Sequence, residues 1–316
     1  MQAKYPFPAG FVATNIEERG QEGVEWLGRL PSILADCERR WSLRLGPPFQ
    51  ALSYNYVAPA VRVDGSTVVV KVCVADRDFA TEVEALRLYG GVGAVRLYDF
   101  DLDWGVMLLE HLKPGVMLSS VESDEEATSI AASVMRRIWH PPPPEHPFSH
   151  VRDWARGMEK LRARFDGGSG PFPERVVQKA EGLFAELFAS MAAPVVLHGD
   201  LHHFNILSGE RQPWLAIDPK GIIGEPAYET GAFIRNPIPD IYSAPNLRRL
   251  LDRRIRLFAD ELAFDPVRVY GWAMAQAVLS AWWTFEDNGG LLTDGFLAGV
   301  SFAETLAELP GWGRDT

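Results

Sequence analysis

The pattern of apolar residues changes once along this chain, near Pro114-Gly115, and that change limits the possible folds more than any other feature. Before it, β-branched and aromatic runs on both sides of Asp64-Gly65 predict a β-hairpin, and VRLYDFDLDWGVMLLEHL adds two further strands. After it, long helical stretches such as ESDEEATSIAASVMRRIWH dominate. The sequence therefore predicts an α+β fold of two lobes, a small antiparallel-sheet lobe over 1–112 and a larger, mostly helical lobe over 113–316.

Two helices accompany the predicted sheet. The first 45 residues place Trp26, Leu30 and Leu34 on one helical face, and we expect a break at Pro31 because proline removes a helical hydrogen bond. The segment DRDFATEVEALRLYG follows the hairpin with helical spacing and ends at Gly90-Gly91, a typical C-cap. The first lobe should thus hold a sheet, one helix and a helical N-terminal extension.

Charge and composition narrow the choice of partners. A formal net charge of −11 over 316 residues argues against nucleic-acid binding, which needs a basic face, and mildly favours a cationic ligand. No apolar run has the length of a membrane span or a signal peptide, and Cys37 and Cys73 are too few for a disulfide framework. We expect a cytoplasmic protein that binds small molecules, with no nucleic acid, membrane or obligate protein partner.

The stretch VVLHGDLHHFNIL, at 195–207, concentrates polar residues between apolar flanks. Its three histidines suggest a zinc site, although structural zinc usually has cysteine ligands at defined spacing. Asp200 and Asn205 instead have the spacing of the kinase catalytic loop H-R-D-x-x-x-x-N, in which Asp accepts the hydroxyl proton and Asn binds Mg²⁺. Asp218 ends an apolar run where a kinase places its second metal ligand. With Lys71 on the second hairpin strand, these residues predict phosphoryl transfer.

The amino-acid sequence of these segments is similar to that of a known family. LHGDLHHFNIL followed by AIDPKGIIGEPAY resembles the aminoglycoside phosphotransferases, and within them the streptomycin 6-kinase and hydroxyurea phosphotransferase branch. The resemblance extends to WLGRLP, VVVKV, IWHPPPPEHPF, FIRNP and LSAWWTFEDN, and so covers most of the chain. It implies a protein-kinase-like fold, ATP and Mg²⁺ as cofactors, and transfer of phosphate to a hydroxyl.

Carried over by position, the resemblance assigns roles around the catalytic loop. Asp200 would orient and deprotonate the acceptor, His198 would brace the loop, and Asn205 and Asp218 would hold Mg²⁺. Lys71 would hold the α- and β-phosphates. An acidic residue of the following helix would pair with that lysine; Glu82 fits the family pattern best, and Glu84 is the alternative because the two cannot share a helix face.

The remaining nucleotide contacts are less conventional. Main-chain groups of Glu110 and Leu112 would pair with adenine edges in the resemblance. The turn LSYNYV, at 52–57, has no glycine for close approach to phosphates, so Ser53 and Asn55 would cover them with side chains. Lys220 would reach a phosphate or remain solvated.

The acceptor site is predicted in the helical lobe. Glu229, Glu286 and Asp287 would supply negative charge, and Trp283 would add an aromatic wall that attracts a guanidinium or ammonium group. Streptomycin or a related aminoglycoside is the first acceptor by resemblance, and hydroxyurea is the second, both of an antibiotic-resistance type. The alternatives are a metabolic kinase of another small alcohol or amino-sugar, and a nucleotide-binding pseudokinase.

Overall fold

A five-stranded antiparallel sheet forms the first part of the computed structural model, which describes residues 4–50 and 52–310. Its strands lie in the order β1-β2-β3-β5-β4. Their bounds are Leu43–Leu45 (β1), Tyr56–Arg62 (β2), Thr67–Val72 (β3), Leu97–Asp101 (β4) and Val106–Glu110 (β5). The predicted hairpin is confirmed, since β2 pairs with β3 across the Asp64-Gly65 turn, and the two strands expected around the acidic turn are β4 and β5.

The N-terminal helix α1, Ala9–Arg40, covers one face of this sheet. Alternate residues of β2, β3 and β5 join it in one buried cluster, as the period of two in a strand requires. The predicted break at Pro31 is wrong, because helical backbone continues through Pro31 and the non-helical residue is Gly20, at φ 56° and ψ −127°. That combination is open to glycine and closed to most other residues, so Gly20 sets the bend.

The second helix, α2 at Arg77–Tyr89, lies on the other side of the sheet. The carboxylate of Asp76 caps its first turn by accepting from the backbone N–H of Phe79 at 2.9 Å. Gly90 ends it in the left-handed conformation, which confirms the predicted C-cap. Lys71 belongs to the strand positions that face α2, opposite α1.

The rest of the chain is mostly helical and carries two three-stranded sheets. Their strand orders are β10-β9-β6 and β7-β11-β8. The strands are β6 (Pro114–Met117), β7 (Ser149–His150), β8 (Val195–Leu197), β9 (Ile206–Gly209), β10 (Trp214–Ala216) and β11 (Ile222–Gly224). The helices are α3 (Asp124–Ile138), α4 (Val151–Ala155), α5 (Gly157–Arg164), α6 (Glu174–Ala189), α7 (Thr230–Ile234), α8 (Leu247–Leu262), α9 (Pro266–Asp287) and α10 (Asp294–Ala307). Short 3₁₀ helices occupy Leu118–Ser120, Pro226–Glu229 and Asp240–Ser243.

The two parts share one apolar core on the α2 side. Val69 and Val83 of the first part belong to the same buried cluster as Leu197 and Trp272 of the second. The α+β, two-lobed architecture predicted from the sequence is therefore confirmed, with lobes joined by packing as well as by the chain. Within the described residues, the helices are too short or too polar to cross a bilayer.

Candidate active site

Three charged side chains from three different elements meet beside β3. The Nζ of Lys71 lies 2.5 Å from Oε1 of Glu82 on α2 and 3.0 Å from Oδ1 of Asp218, which follows β10. Of the two acidic candidates on α2, the structure pairs Glu82 with the lysine, while the more exposed Glu84 binds Arg87 at 2.7 Å. Residues 71, 82 and 218 thus form one ion cluster although 147 positions separate its ends.

The lysine of this cluster stays charged. Burial alone would lower the pKa of Lys71, but the carboxylates of Asp218 and Glu82 raise it above its usual value. Burial likewise opposes ionisation of Asp218, and Lys71 outweighs it and lowers the pKa of that carboxyl. The cluster therefore presents a fixed positive charge beside an ionised carboxylate.

The catalytic loop runs from the end of β8 to the start of β9, and His198 holds it in place. Its ring is wholly buried; Nε2 donates to the carbonyl of Ile217 at 2.7 Å, and Nδ1 accepts the backbone N–H of Asp200 at 3.3 Å. Burial lowers the pKa of His198 to about 4, so the neutral ring with its proton on Nε2 persists at physiological pH. This histidine ties the loop to the segment that carries Asp218.

Asp200 is partly open to solvent, and Arg235 and His202 lie beside its carboxylate. Its side chain is 32% exposed, Arg235 approaches Oδ1 at 3.5 Å and His202 approaches Oδ2 at 3.6 Å. Burial disfavours the ionised form, but His202, Arg235 and Lys220 outweigh it and hold the pKa of Asp200 well below its usual range. The group is consequently an ionised hydrogen-bond acceptor, suited to orienting a hydroxyl.

The donor set near the loop fits a hard cation. Asn205 donates through Nδ2 to the carbonyl of Asp200 at 2.9 Å, which leaves its Oδ1 available as a ligand. The backbone N–H of Ile217 donates to the carbonyl of Asn205 at 2.9 Å and brings Asp218 alongside. Asp218 has a φ of 57°, its side chain is 47% exposed, and Lys71 contacts one of its two oxygens. Carboxylate and amide oxygens placed together are ligands that Mg²⁺ accepts.

The histidines of the loop have separate environments. His203 is buried and stacks on Phe233 with ring centroids 3.9 Å apart, whereas His202 contacts Asp200. With His198 bound to Ile217, the three rings serve three different neighbours. Within residues 4–50 and 52–310, no group of three or more histidine, cysteine and acidic side chains is arranged to hold a metal.

The expectation that Glu229 meets the acceptor is corrected by the structure. Glu229 is 1% exposed, and its two carboxylate oxygens accept the backbone N–H groups of His198 and Gly199 at 2.6 and 2.8 Å. Burial raises the pKa of Glu229 to about 7, against the lowering effect of those two N–H groups. This residue supports the loop through the two backbone N–H groups that its carboxylate accepts.

Two cavities that share lining residues lie here, one beside the ion cluster and one beside Asp200. The smaller, about 170 Å³, is lined by Lys71, Asn55 and Asp218 among others, and the larger, about 550 Å³, by Asp200, Trp283 and Asp287 among others. Lys220 and Asp78 line both cavities. A ligand in one would therefore meet a ligand in the other at Lys220, within the neighbourhood of Asp200.

Seven predicted residues lie outside the linings of these cavities within the described part of the chain, and three of them, His198, Asn205 and Glu229, belong to the loop described above or support it. Ser53 is exposed. Glu286 is also exposed; it precedes Asp287 on α9, and because one residue turns a helix by about 100°, the two side chains point in different directions. The carboxylate of Glu110 is bound by Arg211 at 2.7 Å, and Leu112 is 8% exposed within the core. The adenine contacts expected from the main chain of Glu110 and Leu112 stay a prediction.

Several cavity residues were missed from the sequence. Arg235 approaches Asp200, and Trp154 packs edge-on against Trp283 with centroids 5.5 Å apart. Asp153 and Arg77 also line the larger cavity. Of these residues, only Arg235 could have been identified from the sequence, because an arginine within the otherwise apolar run AFIR is unusual for a buried segment.

Comparison with known proteins agrees with this arrangement. The chain is 31% identical to streptomycin 6-kinase of Streptomyces griseus over 302 residues, 95% of this chain and 97% of that protein. It is also 31% identical to hydroxyurea phosphotransferase of Kitasatospora aureofaciens over 290 residues, 89% of this chain and 81% of that protein.

Solved structures show the same fold at low sequence identity. Choline kinase LicA from Streptococcus pneumoniae superposes with a TM-score of 0.61 at 16% identity, covering 86% of this chain and 98% of that one. A thermostable aminoglycoside phosphotransferase mutant, in ternary complex with ADP and hygromycin B, gives 0.62 at 14% identity, covering 89% and 99%. These likenesses confirm the protein-kinase-like fold.

The family assignment depends on a longer match. Residues 41–289, most of both lobes, match the family described as aminoglycoside/hydroxyurea antibiotic resistance kinase. The match includes the ion cluster, the catalytic loop and the whole lining of the larger cavity. The chain belongs to the aminoglycoside/hydroxyurea antibiotic resistance kinase family.

Proposed function

We propose that this kinase transfers a phosphoryl group from ATP to a hydroxyl of a small, polar, cationic acceptor of the antibiotic class. One observation carries the proposal: Asp200 lines a cavity that adjoins, across Lys220, the cavity of the Lys71 ion cluster. Donor and acceptor bound in these cavities would meet beside an ionised carboxylate. Such positioning supplies most of the acceleration in phosphoryl transfer.

The donor side has the groups that a nucleotide requires. The charged Lys71 would bind phosphate oxygens, held in place by Glu82. Asn205 and Asp218 would hold Mg²⁺, which when bound neutralises charge on the phosphates. Lys220, whose side chain is exposed between the cavities, would contact the group in transfer.

The acceptor side orients a hydroxyl and balances charge. A carboxylate with a pKa as low as that of Asp200 is a good hydrogen-bond acceptor and a weak base. In a loose transition state a strong base is not needed, because the attacking oxygen loses its proton late. Arg235 and Lys220 would stabilise the negative charge that spreads over the transferred group.

The walls of the larger cavity indicate what kind of acceptor fits. Trp154 and Trp283 form an aromatic corner with ring planes at 89°, and Asp153 and Asp287 lie on the same wall. Aromatic faces beside carboxylates attract guanidinium and ammonium groups. Streptomycin is therefore the first acceptor to test, and hydroxyurea the second.

A second candidate is a kinase of another small alcohol or amino-sugar. It is favoured by the charge of the larger cavity, whose lining has as many basic as acidic side chains. The basic ones are Arg77, Lys160, Lys220 and Arg235, and the acidic ones are Asp78, Asp153, Asp200 and Asp287. Such a lining suits an acceptor with one cationic group better than a polycation.

The test is ADP release by purified protein with Mg²⁺, ATP and a panel of streptomycin, other aminoglycosides, hydroxyurea and simple amino-alcohols. We expect Asp200→Asn to reduce turnover about 10²- to 10⁴-fold, because the neutral amide cannot take the hydroxyl proton, and to leave nucleotide binding intact. The same change at the exposed Asp240 is the control. Undiminished turnover by Asp200→Asn would refute the assignment, and nucleotide binding without ADP formation on any acceptor would favour a pseudokinase.

A further inference from the structure

An arginine from outside the sheet reaches the nucleotide cavity. Arg19 of α1 lines the smaller cavity together with Lys71, Asn55 and Asp218. It immediately precedes Gly20, where the helix bends. The bend thus determines where this guanidinium lies relative to the ion cluster.

Arg19 contacts Trp26 of its own helix, and Trp26 in turn joins the helix to the end of the strand that carries Lys71. The Arg19 guanidinium stacks on the Trp26 ring, 5.8 Å from its centroid. The Nε1 of Trp26 donates to the carbonyl of Cys73 at 3.1 Å, and Cys73 directly follows β3. Arg19 is therefore linked through Trp26 to the end of the strand that carries Lys71.

Arg19 also has hydrogen-bonding capacity that the protein does not use. Its Nη1 is buried and has no hydrogen-bond partner within residues 4–50 and 52–310. A buried donor without an acceptor is unfavourable, and a guanidinium matches phosphate oxygens in a two-pronged geometry. Among the other cations of the cavity, Lys71 is already bound by Glu82 and Asp218.

The loop between β1 and β2 also lines the smaller cavity. In place of glycines near the cavity it brings Tyr54 and Asn55, both of which line it. Burial and the negative charges of Glu18 and Asp287 raise the pKa of Tyr54, consistent with a side chain lying between α1 and the acceptor cavity. Backbone N–H groups that approach phosphates closely through glycine are missing from LSYNYV, so side chains must supply the donors.

We propose that Arg19 binds the terminal phosphates of the nucleotide, as a phosphate-binding residue supplied by the N-terminal helix. The inference rests on the proposed function, since it assumes that the smaller cavity receives a nucleoside triphosphate. The inference goes beyond the proposed function because it assigns α1 a direct part in nucleotide binding. AMP, which lacks the β- and γ-phosphates, should not depend on Arg19.

The experiment compares binding of Mg²⁺ with the non-hydrolysable analogue AMP-PNP, and of AMP, by calorimetry. We expect Arg19→Ala to weaken AMP-PNP about 10- to 100-fold, the effect of losing a charge-assisted hydrogen bond, and to change AMP less than about twofold. Arg19→Gln, which keeps the stem over Trp26, should show the same selectivity if Arg19→Ala folds poorly. Arg29→Ala, an exposed position of the same helix, is the matched control and should bind both ligands as the wild type does.

Three results would overturn the inference. Unchanged AMP-PNP affinity in Arg19→Gln would mean that the guanidinium does not contact phosphate. Equal weakening of AMP and AMP-PNP would mean that Arg19 acts on the shape of the cavity. Failure of the wild type to bind any nucleotide would remove the proposed function as well, whereas binding without acceptor phosphorylation would remove the proposed function and leave the role of Arg19 standing.

Discussion

At the scale of single residues, His198 couples the two segments on which the site depends. One ring nitrogen binds the carbonyl of Ile217, next to Asp218, and the other accepts the N–H of Asp200. The two contacts coexist only in the neutral ring with its proton on Nε2, because a protonated Nδ1 could no longer accept from Asp200. Protonation would therefore break the contact to Asp200 inside the core.

This requirement predicts a pH-dependent stability. The folded pKa of His198 is about 4, below the ordinary 6.5, so between these values the unfolded chain binds a proton that the folded chain does not. Stability should fall as the pH drops through that window, by about 3 kcal/mol in total. His198→Gln, whose amide can still donate to Ile217, should lose that much less between pH 7 and pH 4 in urea unfolding. The same change at the exposed His146 is the control, and parallel pH profiles for wild type and His198→Gln would contradict the prediction.

Some site residues can be predicted from a pattern of neighbouring residues in the sequence, whereas others are brought to the site only by folding. The roles predicted for Asp200 and Asn205 come from a spacing that lies within one loop. The sequence predicts an acceptor role for Glu229 from its charge alone. It does not reveal that the carboxylate accepts two backbone N–H groups. Arg19 joins a cavity whose other walls begin more than thirty positions later, and no local pattern marks that contact.

At the scale of elements, the bend of α1 depends on close backbone packing as well as on Gly20. A Cβ at Gly23 would overlap the backbone carbonyl of Asn15, whose own Nδ2 donates to the carbonyl of Phe11 at 3.0 Å. A Cβ at Gly28, further along the same helix, would meet nothing within 4 Å. The two glycines therefore differ in packing although both are helical.

We expect Gly23→Ala to destabilise the protein by about 1–3 kcal/mol, because the two arms of the bent helix must separate. Gly28→Ala should be neutral or stabilise by up to about 1 kcal/mol, since alanine is the better helix former in open space. Urea unfolding followed by tryptophan fluorescence measures both. Equal effects of the two substitutions would show that the arms are not packed as described.

Elements were predictable where a short motif determines them. Asp64-Gly65 marked the hairpin and Gly90 marked the end of α2, and both act on neighbouring backbone only. The prediction of a break at Pro31 is wrong because proline removes one helical hydrogen bond but does not force a break in a helix that packs on a sheet. The bend at Gly20 depends on a backbone conformation open to glycine and on packing between the two arms of α1, neither of which is marked by the spacing of apolar residues.

At the scale of the whole molecule, net charge proved a weak guide to the site. The chain carries −11 overall, yet the larger cavity has equal numbers of acidic and basic side chains. Solubility can set the total charge, whereas the cavity must also stabilise transferred phosphate, which needs cations. The two-lobed plan was predictable from the change of pattern along the chain, but the charge balance of the cavity arises from lobes meeting in space.

One arginine side chain joins the two lobes at their junction. Arg211, in the turn between β9 and β10, binds the Glu110 carboxylate at 3.0 and 2.7 Å and donates to the carbonyls of Gly91 and Ala94. One side chain of the second lobe thus binds three positions of the first. Arg211→Ala would leave Glu110 with fewer donors, and we expect a loss of about 2–3 kcal/mol in the free energy of unfolding.

Arg175→Ala is the matched control for Arg211→Ala, because Arg175 pairs with Glu304 and Glu308 at the surface with its side chain 60% exposed. Exposed ion pairs contribute at most about 1 kcal/mol, so this variant should unfold near the wild-type urea concentration. Since the lobes share one core, Arg211→Ala should still unfold in a single transition, shifted to lower urea. An unshifted midpoint would show that Arg211 does not stabilise the junction, and a transition split in two would show that the shared core is too weak to couple the lobes without it.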